Sequence, residues 1–254
     1  MGCVKSAGLG LRCSVVVGVL AACATSAAAQ PAAKSGSGSL AGMWNNTVAV
    51  MPIKAGPVVK GAPTFLTADG QAIPLLPAAA KVVAERLADK DFVTNTDVCN
   101  TEGMPTVAFS PPQYKLQILD HPEQVSVLFE QSLNYRMIRM EPHPEDPNEA
   151  FMGESSGKWQ GDTLVVDTVA MIEDTNILAV IPHSDQLHVV ERMRRTGPDT
   201  FEDQVTMEDP MTFSKKWTLV AKYKKSPATQ ITAIPCKPKV APKDLGTQAA
   251  TVAR

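Results

Sequence analysis

The chain has 254 residues, with 24 Lys and Arg against 26 Asp and Glu, for a formal net charge of −2. The length allows one substantial domain with a real core. The faintly acidic balance argues against a protein built to hold nucleic acid through its phosphates.

Residues 1–29 read as an export signal. Lys5 and Arg12 give a positive start, Ser14 to Ala24 a short apolar run, and Ala27 to Ala29 a small-residue cleavage site before Gln30. The run is short for a membrane span. Leu20-Ala21-Ala22-Cys23 also has the form of a bacterial lipobox, so a lipidated Cys23 anchoring the chain to a membrane is the competing reading. Either way the expected destination is the periplasm or the outside of the cell. Removing 1–29 leaves 22 basic and 26 acidic side chains, a formal charge of −4. It also leaves two of the five cysteines, Cys99 and Cys236. In an oxidising compartment these are expected to form one disulfide.

Residues 30–39 are rich in Ala, Gly and Ser and read as a flexible linker. The main domain is expected over 40–236. Val48 to Pro77 has too much Pro and Gly for long regular elements and is expected to wrap irregularly over the domain. A short hairpin around Ala68-Asp69-Gly70 is the other reading there. Ala78 to Asp91 is the one clear helix, with Ala79, Val82, Val83, Arg86 and Leu87 at helical spacing. Asp97 to Pro112 reads as loop.

From Gln113 the hydrophobic period changes to two. Strands are expected at Tyr114–Ile118, Gln124–Gln131, Asn134–Met140, Glu154–Gln160, Thr163–Met171, Gln186–Arg195, Thr200–Glu208 and Trp217–Lys224, separated by Pro, Gly and Asp turn signals. This predicts an all-β, mainly antiparallel meander. An up-and-down barrel would leave no exposed edge, and an open sheet or sandwich is the alternative. Residues 237–254 read as a disordered tail.

Ala84-Glu85-Arg86, the Cys99-x-x-x-Gly103-x-Pro105 loop, Arg136 after Tyr135, and the hairpin from Gly157 to Thr168 (GKWQGDTLVVDT) together resemble the motifs of a large family of exported bacterial proteins. The stretch from Pro182 to Arg192 (PHSDQLHVVER), Glu208-Asp209-Pro210 and Trp217 continue the likeness, which covers roughly two-thirds of the chain. The resemblance implies a lipocalin-like barrel and points to no particular reaction. Gly42-x-Trp44 is similar to the entry of such barrels, where a Trp closes the floor; a Trp in an ordinary core is the plainer reading. Glu154 departs from the family, which more often carries a neutral or basic residue there.

Alternation puts Leu187, Val189, Glu191 and Met193 on one strand face and His188, Val190, Arg192 and Arg194 on the other. The first face is the apolar one and should look inward. If the extended backbone runs back to Pro182, His183 and Asp185 join it. His183 would then be a general acid or base, with Asp185 orienting it and Glu191 as a third catalytic group. Glu191 could equally brace the barrel through an ion pair with Arg136. Arg136, Tyr135, Trp159 and Asp167 are the candidate ligand contacts; only one of Tyr135 and Arg136 can face inward. His143, in a proline-rich loop, could rim a barrel mouth. His183 and His188 fall on opposite faces, a poor chelating pair, and no phosphate loop, dinucleotide fingerprint or serine elbow is present. No metal or cofactor is therefore expected. Two functions stay open: a cofactor-independent acid–base enzyme (lyase, isomerase or hydrolase) acting on a small organic molecule, or a non-catalytic carrier of an apolar one.

Overall fold

The computed structural model describes residues 39–47, 68–131, 134–232, 234 and 236–239. The expected signal at 1–29, nearly all of the linker, most of the segment from Val48 to Pro77 and the tail beyond 239 lie outside the described residues.

Period-two segments become strands because alternation lets one face enter a core while the other meets water. The strands are β1 (Gly42–Asn46), β2 (Lys115–Asp120), β3 (Gln124–Phe129), β4 (Asn134–Arg139), β5 (Glu154–Gln160), β6 (Thr163–Val169), β7 (His188–Gly197), β8 (Thr200–Glu208) and β9 (Trp217–Lys225). They close in sequence order into a nine-stranded barrel, with β9 pairing back onto β1. Closure satisfies the backbone of both edges, so the sandwich and open-sheet alternatives fall away. Neighbours are antiparallel except β4 and β5, which run parallel with Ile138 opposite Ser155. The chain between them, which carries the proline-rich segment around His143, crosses from one end of the barrel to the other.

The first strand was not among those expected. Trp44 anchors it, fully buried, with its indole N–H donating to Leu40 O at 2.9 Å. Phe201 packs edge-on against Trp44, with ring centroids 4.8 Å apart, and stacks on Tyr223. Trp44, Phe201 and Tyr223 thus join β1, β8 and β9 inside the barrel. The hairpin from Gly157 to Thr168 forms as read, and Gly161 supplies the left-handed turn residue at φ 66°.

The helix α1 spans Pro77–Ala88. Pro77 suits the first helical position because its missing N–H has no partner there anyway. It ends three residues before the expected Asp91. Asp89 adopts an extended backbone, and its side chain accepts the Asp91 N–H at 2.9 Å, a local turn that competes with the helix. Arg86 ties α1 to the later loop by donating to Asn176 Oδ1 and Val180 O.

The stretch from Asp97 to Pro112 is more ordered than a loop reading suggests. It holds 3-10 turns at Asn95–Val98 and Thr106–Phe109. Val107, Ala108 and Phe109 are buried in the same core as the strands, and Tyr223 donates its hydroxyl to Ala108 O from within the barrel. Cys99 and Cys236 are bonded, with Cα atoms 5.7 Å apart, and this fastens the residues after β9 against the first 3-10 turn.

Candidate functional site

Leu187, Val189, Glu191 and Met193 are all buried on the inward face of β7, as alternation predicted. Glu191 meets Arg136 from β4. Nη1 and Nη2 of Arg136 donate to the two carboxylate oxygens of Glu191 at 2.9 and 2.5 Å. Arg136 Nε donates to Ser155 Oγ, and Nη2 also donates to Thr168 Oγ1. Sequence reading had offered this pair as a brace, and the geometry is a fully hydrogen-bonded one.

A second acid joins it. Asp203 on β8 is 1% exposed, and it lies diagonally from Glu191, whose direct partner across the strands is Val205. Burial first, and then the Glu191 charge, push the Asp203 carboxyl well above the usual carboxylate range, while Arg136 pulls against them. A side-chain hydrogen bond to Glu191 acts in the same direction, favouring the protonated form of Asp203. Its Oδ1 has no partner among the described residues. The same surroundings, burial foremost, push the Tyr223 hydroxyl well up. Asp203 was missed from sequence although Phe201, Asp203 and Val205 share one parity.

The expected pairing of His183 with Asp185 is not formed. His183 is buried, but Asp185 is exposed. The extended backbone does not run from Pro182 into β7. A turn carries Leu187 N–H back to Ser184 O, which resets the parity on which the pairing rested. His183 Nδ1 donates to Ser184 O at 3.0 Å, and Nε2 accepts from Thr175 Oγ1 at 2.7 Å. Both ring nitrogens are thus satisfied within the protein, and burial holds the imidazole below its ordinary pKa. Ser184 donates through N–H and Oγ to Asp209, and the Asp185 N–H donates to Glu173 Oε1 at 3.2 Å.

The other candidates separate. Tyr135 points outward and is 66% exposed, so Arg136 is the inward member of that pair. Trp159 is half-buried and packs on the core beside Leu164. Asp167 faces outward. Its Oδ1 bonds His143 Nε2 at 3.1 Å, and its Oδ2 bonds His188 Nε2 at 2.9 Å. His143 therefore fastens its loop to the barrel wall. Glu154 is paired with Arg139 across β4 and β5. Among the described residues no group of three or more His, Cys, Asp or Glu side chains is arranged to hold a metal ion.

A cleft of about 460 Å³ runs between α1, both 3-10 turns and the loop at Leu178 to Val180. Leu87, Phe92, Val107, Phe109 and Leu178 give it apolar walls. Arg86 stands over the Phe92 ring at 5.3 Å. The disulfide brings Lys239 to its rim, where the Lys239 ammonium pairs with Asp97.

Glu102 lies in the wall of this cleft and is only 5% exposed. Its Oε1 accepts the Thr96 N–H and hydroxyl, and its Oε2 has no partner among the described residues. Burial pushes the Glu102 carboxyl up, against the two Thr96 bonds, and the neighbouring Asp97 charge adds to the rise. Gly103 fixes the position: at φ 70°, a Cβ there would come within 2.4 Å of Phe151 O, so no side chain fits. Gln131, two residues past β3, adds a second buried oxygen without a partner among the described residues. Sequence reading saw the Cys99-to-Pro105 loop but gave Glu102 no role, because loop residues carry no periodicity from which burial can be read. A second cleft, of about 400 Å³, lies beside Lys215, Lys216 and Trp217.

Compared with known proteins, the chain matches no family model and no curated sequence.

Proposed function

We propose that the protein binds a small, partly apolar organic molecule in the cleft between α1 and the 3-10 turns, as a carrier or binding protein. The observation that carries this reading is the cleft itself: apolar walls around one buried, incompletely bonded carboxyl group. Binding sites for small molecules are concave, mainly apolar and supplied with a few placed polar groups. The size falls in the usual range for such sites, roughly 300–1,000 Å³. A second reading, acid–base catalysis on the bound molecule, has one observation in its favour: Glu102 is a carboxyl group with a raised pKa in an apolar wall. In that case the acid–base residue would be Glu102, not His183. Glu191 and Arg136, bonded to one another inside the barrel, would serve either reading as the brace of the scaffold.

The test uses a fluorescent apolar probe, N-phenyl-1-naphthylamine. Its emission should rise on binding the wild-type protein. Leu87→Trp, which fills the cleft from a half-buried helix position, should weaken binding about tenfold or more. No enhancement with wild type, or equal enhancement with Leu87→Trp, would rule the cleft out. Turnover lost in Glu102→Gln with probe binding retained would favour the catalytic reading.

We also propose export to the periplasm or beyond, in keeping with the resemblance to the exported lipocalin-like family. The Cys99–Cys236 bond supports this, since disulfides persist in oxidising compartments. Intact mass from the native host should show a chain beginning at Gln30 or at a lipidated Cys23; a species still starting at Met1 would contradict it.

A further inference from the structure

We propose that the outer wall of the barrel over β7, β8 and β9 is a docking face for an anionic phospholipid bilayer, a role separate from the cleft. Alternation supplies the residues. Met193, Phe201, Val205, Ala221 and Tyr223 are buried on the inner side of these strands. Their neighbours Arg192, Arg194, Glu202, Gln204, Lys222 and Lys224 therefore face outward. Register sets them side by side. Arg194 lies opposite Glu202 and Glu202 opposite Lys222, while Arg192 lies opposite Gln204 and Lys224 opposite Thr200. Strands are about 4.8 Å apart, so the cations of β7 and β9 stand roughly 10 Å from each other on one side of the barrel. Arg195 and Lys225 complete the group near the strand ends.

The positive charge is only partly cancelled in place. Arg194 pairs with Glu202 at 3.6 Å, and Lys225 with Asp199 at 3.7 Å. Arg195 lies over the Trp44 ring, 5.0 Å from its centroid, and donates to Pro198 O. Arg192, Lys222 and Lys224 are exposed, and their charged groups meet no partner among the described residues. The acids of the face, Glu202 and Asp199, thus offset two of its six cations, in a chain whose formal charge is −2. The other end of this wall is where β6 and β8 finish and β7 and β9 begin. It exposes Glu173, Asp174, Asp185 and Glu208 against Lys215 and Lys216. Charge is therefore divided along the barrel, and an anionic surface would both attract and orient it.

Two observations favour a bilayer over a linear polyanion. Single-stranded nucleic acid is held in a positively charged groove that tracks its backbone. Arg192, Lys222 and Lys224 line neither of the clefts described above and stand on the convex outer wall, which suits a field of headgroups. The chain also enters the barrel at this end, since Trp44, two residues into β1, lies opposite Lys225. A lipid on Cys23, the competing reading of the leader, would bring a membrane to the same end. Each basic side chain close to an anionic membrane strengthens binding about fivefold. The attraction fades beyond a Debye length, roughly 10 Å at 0.1 M salt.

The experiment sediments the chain beginning at Gln30, without a lipid group, with two kinds of vesicle. One is phosphatidylcholine alone and the other contains about one-third phosphatidylglycerol. The protein should sediment with the second and not the first at about 0.05 M salt, and should be released by about 0.5 M. Arg192→Gln with Lys222→Gln and Lys224→Gln should weaken vesicle binding about a hundredfold and unfold at the wild-type temperature. Lys215→Gln with Lys216→Gln, at the opposite end, should bind as wild type does. Absence of binding to the phosphatidylglycerol vesicles, equal binding to both kinds, or undiminished binding by the triple variant would overturn the proposal. Retention of heparin or duplex DNA without vesicle binding would assign the face to a soluble polyanion and overturn it as well. The outcome leaves the cleft reading untouched, because none of these residues lines the cleft beside Glu102.

Discussion

Arg136 and Glu191 face one another across the inside of the barrel, from β4 to β7, with both guanidinium Nη atoms on the two carboxylate oxygens. Strands that are not neighbours in the wall are thereby joined through its interior. Each residue is at most 3% exposed, so each charge depends on the other. Removing one partner strands a buried charge, at a typical cost of about 3–5 kcal/mol. Arg136→Met and Glu191→Leu should each destabilise the protein on that scale in urea unfolding. The double variant should be more stable than either single one, and additive losses would show that the pair is not a coupled unit.

Asp203 should make stability fall as pH rises. Its folded pKa lies well above the unfolded value, so the folded state holds more protons than the unfolded state between the two. Its contribution is full below the unfolded pKa, about 3.9, and is lost as pH rises through the folded value. Asp203→Asn keeps the shape and a donor toward Glu191 but cannot ionise. Relative to wild type, it should gain stability from about pH 4 to about pH 8. A wild-type-to-variant difference that does not change with pH would mean that Asp203 is not held neutral.

His183 gives the opposite slope. Burial lowers its folded pKa, so the unfolded chain takes up a proton first as pH falls below about 6.5. Its contribution is present above that point and lost as pH drops through the folded value. His183→Ala also removes both ring hydrogen bonds and opens a cavity, a loss of about 2–4 kcal/mol. A catalytic histidine outside the core would have predicted little change in thermal stability, so a variant as stable as wild type would refute a structural role for His183.

The disulfide joins residues separated by 137 positions. In the chain-entropy picture a loop of that length is worth about 4–5 kcal/mol. Cys99→Ser with Cys236→Ser should lower stability on that scale in urea unfolding. Thiol titration of the unfolded, unreduced protein should find neither cysteine free.

The strands from β2 to β9 were legible because alternation is a local signal that tertiary burial reinforces. Inward Glu191 and outward His188 followed directly from it. The same rule failed at His183 and Asp185, where the turn returning Leu187 N–H to Ser184 O breaks the period before β7 begins. The parallel step from β4 to β5 was hidden because a crossing connection of loop residues has no periodicity. Glu102 was invisible for a related reason. It is buried where its carboxylate meets Thr96, in a loop without periodicity.

The central claim, that the cleft beside Glu102 is where this protein meets its ligand, is tested most directly by amide chemical-shift mapping of the labelled protein during titration with N-phenyl-1-naphthylamine. The expected result is saturable shifts concentrated at Leu87, Phe92, Glu102, Val107, Phe109 and Leu178, suppressed in Leu87→Trp. Shifts centred instead on Arg136, Glu191 and Asp203 inside the barrel, or on the Lys215–Trp217 cleft, or no saturable shifts at all, would contradict it.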